Sequence, residues 1–225
     1  MNIKWIELKK LKMKINEALD NVGGLSNPGK MPGYGWSISA RRCEVGGKLT
    51  DVKGSVCEGC YALKNRYIWN PIQTSLEKRY NAWADNREQW VESMIYLMDN
   101  KKMATPHFRW FDSGDIQGKE MLDDIKEVAI RSPHIRFWLP SKEYGLVKDW
   151  LKENDCPENL IIRMSAPMIN QNINGYKHSS GCYTHDNLYQ VKKSTICPAP
   201  TQGNQCGDCR KCWSDKITTV NYIAH

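Results

Sequence analysis

A chain of 225 residues has room for one ordinary domain, or one domain with a small appendage. Hydrophobic residues make up 40% and charged residues 25%, which excludes the disordered and low-complexity classes. The formal net charge of +7 permits an anionic partner without requiring one.

The N-terminal stretch MNIKWIELKKLKMKINEALD is charged throughout and has no apolar h-region, so no signal peptide is expected. No apolar run approaches about 18 residues, so no membrane span is expected and a cytoplasmic protein is predicted. Trp5, Ile6, Leu8, Leu11, Met13, Ile15 and Leu19, with Lys between them, predict an amphipathic helix over 5–20. The Gly- and Pro-rich stretch GGLSNPGKMPGYG is a loop, and Trp36–Ser39 is a candidate first strand. A Gly-rich, Cys-bearing loop follows from Arg41 to Tyr61.

Residues 72–99 read as one long helix or two short ones, with a break at Asp85-Asn86. Three strands, His107–Asp112, Ile135–Leu139 and Leu160–Met164, then alternate with helices over Lys119–Arg131 and Glu143–Asn154. Such alternation predicts parallel β/α units joined by right-handed crossovers. After Pro167 the pattern fades, with short β-like pieces at Cys182–Tyr183, Thr195–Cys197 and Ile217–Ile223.

Nine cysteines in a chain with no export signal point to metal rather than disulfides. Cys197, Cys206, Cys209 and Cys212 follow C-x8-C-x2-C-x2-C, whose short steps let four thiolates converge on one centre. Zinc and a 4Fe–4S cluster both take four Cys, and spacing does not separate them. Cys43, Cys57 and Cys60 form a second group, C-x13-C-x2-C, one ligand short of a closed site. An open coordination position suits catalysis. A structural site closed by Cys182, or by His178 or His185, is the alternative. Cys156 reads as an ordinary thiol, and no His is assigned a catalytic role. Trp213, next to Cys212, is placed to shield a cluster from water.

Parallel α/β folds bind ligands at the carboxyl ends of their strands. Those ends carry Asp112-Ser113-Gly114-Asp115, Pro140-Ser141-Lys142 and Ser165-Ala166-Pro167. These small and polar residues leave room for a ligand and offer it hydrogen bonds.

The segments NPGKMPGYGWSI, CEVGGKLTDVKGSVCEGCYALKNRY, FRWFDSGDI, IRFWLPSKE and CPAPTQGNQCGDCRKCW resemble the phage gene product 88 family, from about residue 27 to the C-terminal His225. More loosely, the layout resembles the radical SAM superfamily, although those enzymes usually space their cysteines C-x3-C-x2-C. That resemblance implies an α/β fold: a partial (β/α) barrel of mostly parallel strands over 23–169. A helix at 1–22 precedes it, and a Cys-rich metal-binding extension over 170–225 follows. It implies a 4Fe–4S cluster on Cys43, Cys57 and Cys60, with S-adenosylmethionine on the open iron. Ser113, Gly114, Asp115, Ser165 and Tyr61 would bind that cofactor, and Asp112, Asp115 and Lys142 would serve the chemistry. The C-terminal group would hold an auxiliary cluster or zinc.

The expected function is therefore an iron–sulfur enzyme that reductively cleaves S-adenosylmethionine to start radical chemistry on an unknown substrate, the net charge of +7 leaning toward an anionic one such as a nucleotide or nucleic acid. The alternative is a metal-stabilised nucleic-acid-binding or electron-transfer protein. Its phosphate contacts would be Arg41, Arg42, Lys48, Lys53, Lys64 and Arg66, with Tyr61, Tyr67 and Trp69 to stack on bases.

Overall fold

The alternation from His107 to Ser165 folds as its periodicity predicts. A computed structural model describes residues 13–103 and 105–224, so the first half of the expected N-terminal helix and His225 lie outside the described residues. Helix α1 spans Ile15–Asn21. Strand β1 is only Gly35–Trp36, shorter than the expected Trp36–Ser39. Helix α2 is Val45–Leu49, inside the Cys-bearing loop. The two-helix reading of 72–99 holds, as α3 (Asn70–Asp85) and α4 (Arg87–Asp99). Asn86 breaks them because its side chain accepts the Gln89 amide at 3.1 Å and caps α4. Then come β2 (His107–Trp110), α5 (Lys119–Arg131), β3 (Arg136–Ser141), α6 (Tyr144–Glu153) and β4 (Leu160–Ser165). Two further strands, β5 (Ser179–Tyr183) and β6 (Thr219–Ile223), come from the region after Pro167.

All six strands form one parallel sheet whose order is the chain order. Among the described residues β1 and β6 are its edges, and no pairing closes it into a barrel. Thr195–Cys197 is not a strand; it contributes one parallel bridge, Ile196 to Asn221. No described helix is long and apolar enough to cross a membrane.

Strand order without reversal lets right-handed crossovers stack the helices on one face. On that face Phe108, Trp110, Phe137, Leu139, Leu160 and Ile162 pack with Trp90, Met94, Ile125, Val128 and Trp150. Trp36 bridges β1 to α4, its ring 5.2 Å from that of Trp90. The alternate residues point to the other face, where Trp138 and Val220 pack with Cys212 and Trp213 of the long β5–β6 connection. The helices therefore leave one sheet face to the cysteine-rich segment.

Two histidines sit near the amino ends of the strands. His178 is buried, with Nε2 3.0 Å from the Asp215 carbonyl, and burial lowers its pKa. Burial, with Arg210 and Arg136 nearby, lowers that of His107. Both rings therefore take up a proton at lower pH when folded than when unfolded, where His titrates near 6.5. Their stabilisation is complete above that value and declines as pH falls through it, by at most about 1.4 kcal/mol per pH unit per ring. Thermal melts between about pH 7 and about pH 5 should show this decline, and His178→Gln should flatten it. An unchanged slope in the variant would remove His178 from the account.

Candidate functional site

The carboxyl ends of the strands gather the first cysteine group. After β1 the chain makes a short turn, Ala40–Arg42, and the Cys43 carbonyl accepts the Gly47 amide at 3.2 Å as α2 begins. Cys57 and Cys60 share a tight turn in which the Cys60 amide donates to the Cys57 carbonyl at 3.1 Å. Ser55 Oγ holds that turn by accepting the amides of Cys57 and Glu58 at 3.2 and 2.9 Å. A Cβ at Gly46 would lie 3.7 Å from Cys57 Sγ and 3.8 Å from Cys43 Sγ, so the bare glycine backbone brings two sulfurs around one spot.

Burial, then Asp115, Cys60 and Cys57, push the Cys43 thiol up to about 12 against Lys142. Burial also raises Cys57, opposed by Lys142, which bonds it. Thiolates here are disfavoured until positive charge arrives, which a metal centre would supply.

The neighbouring acids are fully engaged. Asp115 is buried; one carboxylate oxygen accepts the Ile116 amide and the other the Lys142 amide, both at 2.8 Å. Desolvation raises its pKa. It thereby ties the end of β2 to the end of β3. Asp112 accepts from the Ser37 hydroxyl and, at 2.8 Å, from the Tyr67 hydroxyl, while its carbonyl accepts from Tyr61. Ser113 donates to the Ile38 carbonyl at 2.8 Å. The side chains of Asp112, Ser113 and Tyr61 thus hold the loop, and a ligand would meet its backbone.

Gly114 has φ +77°, and a Cβ there would sit 2.4 Å from Ile38 Cγ1 and 2.7 Å from the Ile38 carbonyl oxygen. Gly114→Ala should cost about 2–4 kcal/mol through strain and overpacking, measured by urea denaturation. A loss below about 0.5 kcal/mol would show that the loop relaxes freely.

Lys142 stands among Cys43, Cys57, Asp115 and Cys182. Ser165 closes the far side: its carbonyl accepts the Tyr144 hydroxyl at 2.6 Å and its Oγ accepts from Ser180 at 3.3 Å. Cys182 is half-buried beside Lys142. His178 lies at the opposite strand ends, bonded to Asp215, and His185 is exposed after β5.

The second group lies on the sheet face that the helices leave open. Cys197 is anchored to β6 by its amide to the Asn221 carbonyl at 2.8 Å, and Cys206 to the Gly/Pro loop by its amide to the Lys30 carbonyl at 2.9 Å. The Cys209 amide turns back to the Cys206 carbonyl at 2.9 Å. Cys212 is buried with Sγ 3.2 Å from Tyr222 Oη, and burial pushes its thiol up to about 12. Trp213 is buried as expected, its indole donating to the Phe108 carbonyl at 2.8 Å. Cys156 stands apart: it donates to the Leu160 carbonyl at 3.3 Å, and burial raises it to about 11.

Among the described residues no three or more His, Cys, Asp or Glu side chains are drawn together as ligands of one metal ion. A single zinc ion needs every sulfur about 2.3 Å from one point. In an iron–sulfur cluster each thiolate holds its own iron, so the sulfurs stand further apart while still sensing one another. Cys43, Cys57 and Cys60 sense one another in this way, as do Cys197, Cys206, Cys209 and Cys212. Trp138, packed beside Cys212, buries its indole N–H with no acceptor among the described residues. Cluster sulfur would satisfy it. Sets of three and four cysteines are compatible with iron–sulfur clusters, and four also with zinc.

Three residues of these sites escaped the sequence reading. Glu143, buried, accepts the Val45 amide at 3.1 Å and fixes α2 to the end of β3. Arg109 lies over the Trp138 ring at 4.5 Å, and Tyr61, Asp112, Tyr222 and Cys212 are all near enough to favour its charge. Arg163 is buried on the same face. The available signal was period-2 alternation, which sets Arg109 and Arg163 opposite their apolar neighbours.

A family model described as gene product 88 matches residues 9–215. The chain belongs to the phage gene product 88 family. The match begins earlier than the expected residue 27 and stops short of the C-terminal strand. Within this gene product 88 chain, both cysteine groups and all three strand-end loops fall inside the matched span. No curated protein and no solved structure matches the chain.

Proposed function

We propose that this gene product 88 protein is an iron–sulfur enzyme of radical SAM type, with its sheet forming the wall of a partial barrel. One observation carries the reading. The three-cysteine loop after β1 meets Asp115 and Lys142 over the carboxyl ends of a parallel sheet ordered as the chain runs. A reduced cluster on Cys43, Cys57 and Cys60 would supply the electron for cleaving S-adenosylmethionine.

The chain's own residues supply place and charge. Gly46 leaves room beside two sulfurs. Lys142 stands next to Cys57 and offsets negative charge there. Gly114 allows the loop after β2 to lie flat on Ile38, leaving its backbone to meet a ligand. Asp115 and Glu143 hold the loops after β1, β2 and β3 in one arrangement. Tyr144 ties α6 to the end of β4.

The test is metal and sulfide analysis of anaerobically purified protein, with electron paramagnetic resonance of the reduced sample before and after S-adenosylmethionine. About eight irons per chain and a spectrum changed by the additive are expected. Zinc without iron overturns the reading. Iron with an unchanged spectrum leaves an iron–sulfur protein without this chemistry.

A further inference from the structure

We propose that the exposed segment Tyr61–Ile72 is a docking shelf for single-stranded nucleic acid, which makes a nucleotide of that strand the substrate of the adjoining cysteine centre. The substrate half of this statement rests on the reading above; the shelf itself does not.

Exposed apolar side chains are concentrated here. Of eight large ones among the described residues, five lie between Val52 and Ile72. Trp69 is 58% exposed, Tyr61 53% and Ile68 50%. The backbone explains this: Tyr61–Leu63 and Asn65–Ile68 are single helical turns, too short to cover their own side chains. Exposed Lys64 and Arg66 lie between the aromatics, and among the described residues neither has a carboxylate partner. Two of the basic residues weighed as phosphate contacts are occupied instead. Arg42 pairs with Glu77 at 2.6 Å, and Lys48 with Glu44 at 3.4 Å. Tyr67 is turned inward to Asp112.

The shelf abuts the centre. Lys64 Nζ lies 3.9 Å from the Cβ position of Gly59, between Cys57 and Cys60. The Tyr61 ring is exposed while its hydroxyl reaches the Asp112 carbonyl. At Asn70 the shelf meets an open groove of about 760 Å³ along α3, whose lining mixes Arg41, Asn70 and Thr74 with the carboxylates of Asp20, Glu77 and Asp85, so the cationic track for a strand ends there.

Open aromatic faces interleaved with unpaired cations match a strand whose bases are free to stack and whose phosphates are regularly spaced. A duplex would use the cations but not Trp69, because its bases are already stacked. The net charge of +7 favours the same partner.

The experiment is fluorescence anisotropy of the full chain with labelled single-stranded DNA and RNA of about 16 nucleotides, and with a duplex, at about 50 mM salt. The single strands should bind more tightly than the duplex. Trp69→Ala should weaken them on the order of tenfold, and Trp69→Phe should restore most of the affinity. Lys64→Gln and Arg66→Gln should each reduce the salt slope by about 0.7. Leu151→Ala, an exposed apolar residue on α6, should change nothing.

Failure to bind any strand overturns the proposal, as does equal binding to duplex with no effect of Trp69→Ala. Self-association that Trp69→Ala abolishes would also overturn it, by making the shelf an interface between copies. Binding needs no iron. If anaerobically purified protein holds zinc and no iron yet binds the strand, the enzyme reading fails and the shelf stands, whereas a spectrum responsive to S-adenosylmethionine without strand binding does the reverse.

Discussion

Arg163→Met should lower stability by about 3–5 kcal/mol, which for a domain of this size is a fall of roughly 10 °C in melting temperature. The guanidinium is fully buried. One of its terminal nitrogens donates to the carbonyls of Ser179 and Thr218 at 2.9 and 3.0 Å, the other to those of Ile217 and Lys211 at 2.9 and 3.3 Å. It therefore ties β4 to the start of β5, the start of β6 and the turn that carries Cys212. Methionine fills much of the volume but withdraws all four donations; the Thr218 and Lys211 carbonyls keep the Ser179 and Ser214 amides at 2.8 and 3.2 Å, while those of Ser179 and Ile217 lose a charged donor in a dry site. Lysine, with its donors on one atom, should recover only part of the loss. Differential scanning calorimetry of both variants checks this. A melting temperature within about 2 °C of the parent would mean that water replaces the guanidinium at little cost. The same variant should also make Cys212 react faster with a thiol reagent, because Lys211 loses its anchor.

Cys57→Ala should remove about four irons per chain and leave the C-terminal group filled, while Cys209→Ala should do the opposite. Electrostatics support two separate centres: Cys43 senses Cys57 and Cys60, whereas Cys206 senses Cys197 and Cys209. Arg109 senses residues beside both, Asp112 and Tyr61 by the first group and Tyr222 and Cys212 by the second. Iron and sulfide analysis of the two variants is the check. Loss of all iron from either would mean one shared centre and would refute the partition.

Much of the scaffold was legible. The 3.6-residue pattern of Lys119–Arg131 appeared at those same bounds, because its apolar stripe of Met121, Leu122, Ile125 and Val128 is wide and uninterrupted. The Asp85-Asn86 break was legible because Asn competes for backbone hydrogen bonds at a helix start. β5 was legible only at its end. Ser179-Ser180-Gly181-Cys182 has no apolar alternation, and its strand state comes from pairing with β4 on one side and β6 on the other. The partners of the strand-end residues were not legible either. Asp112 and Ser113 read as free polar groups, yet Ser37, Tyr67 and Ile38, far away in the chain, occupy them.

The sequence by itself determined the β/α alternation, the two cysteine groups and the polar strand ends, because each is written within a short window as a period or a spacing. Tertiary structure alone decided that both cysteine groups come to one sheet, at its carboxyl ends and on the face the helices leave open. It also decided which charges are spent and which remain free. Arg42 and Lys48 find carboxylates while, among the described residues, Lys64 and Arg66 do not. A side chain's partner is set by which distant segment the sheet brings alongside, and no local pattern of residues carries that information.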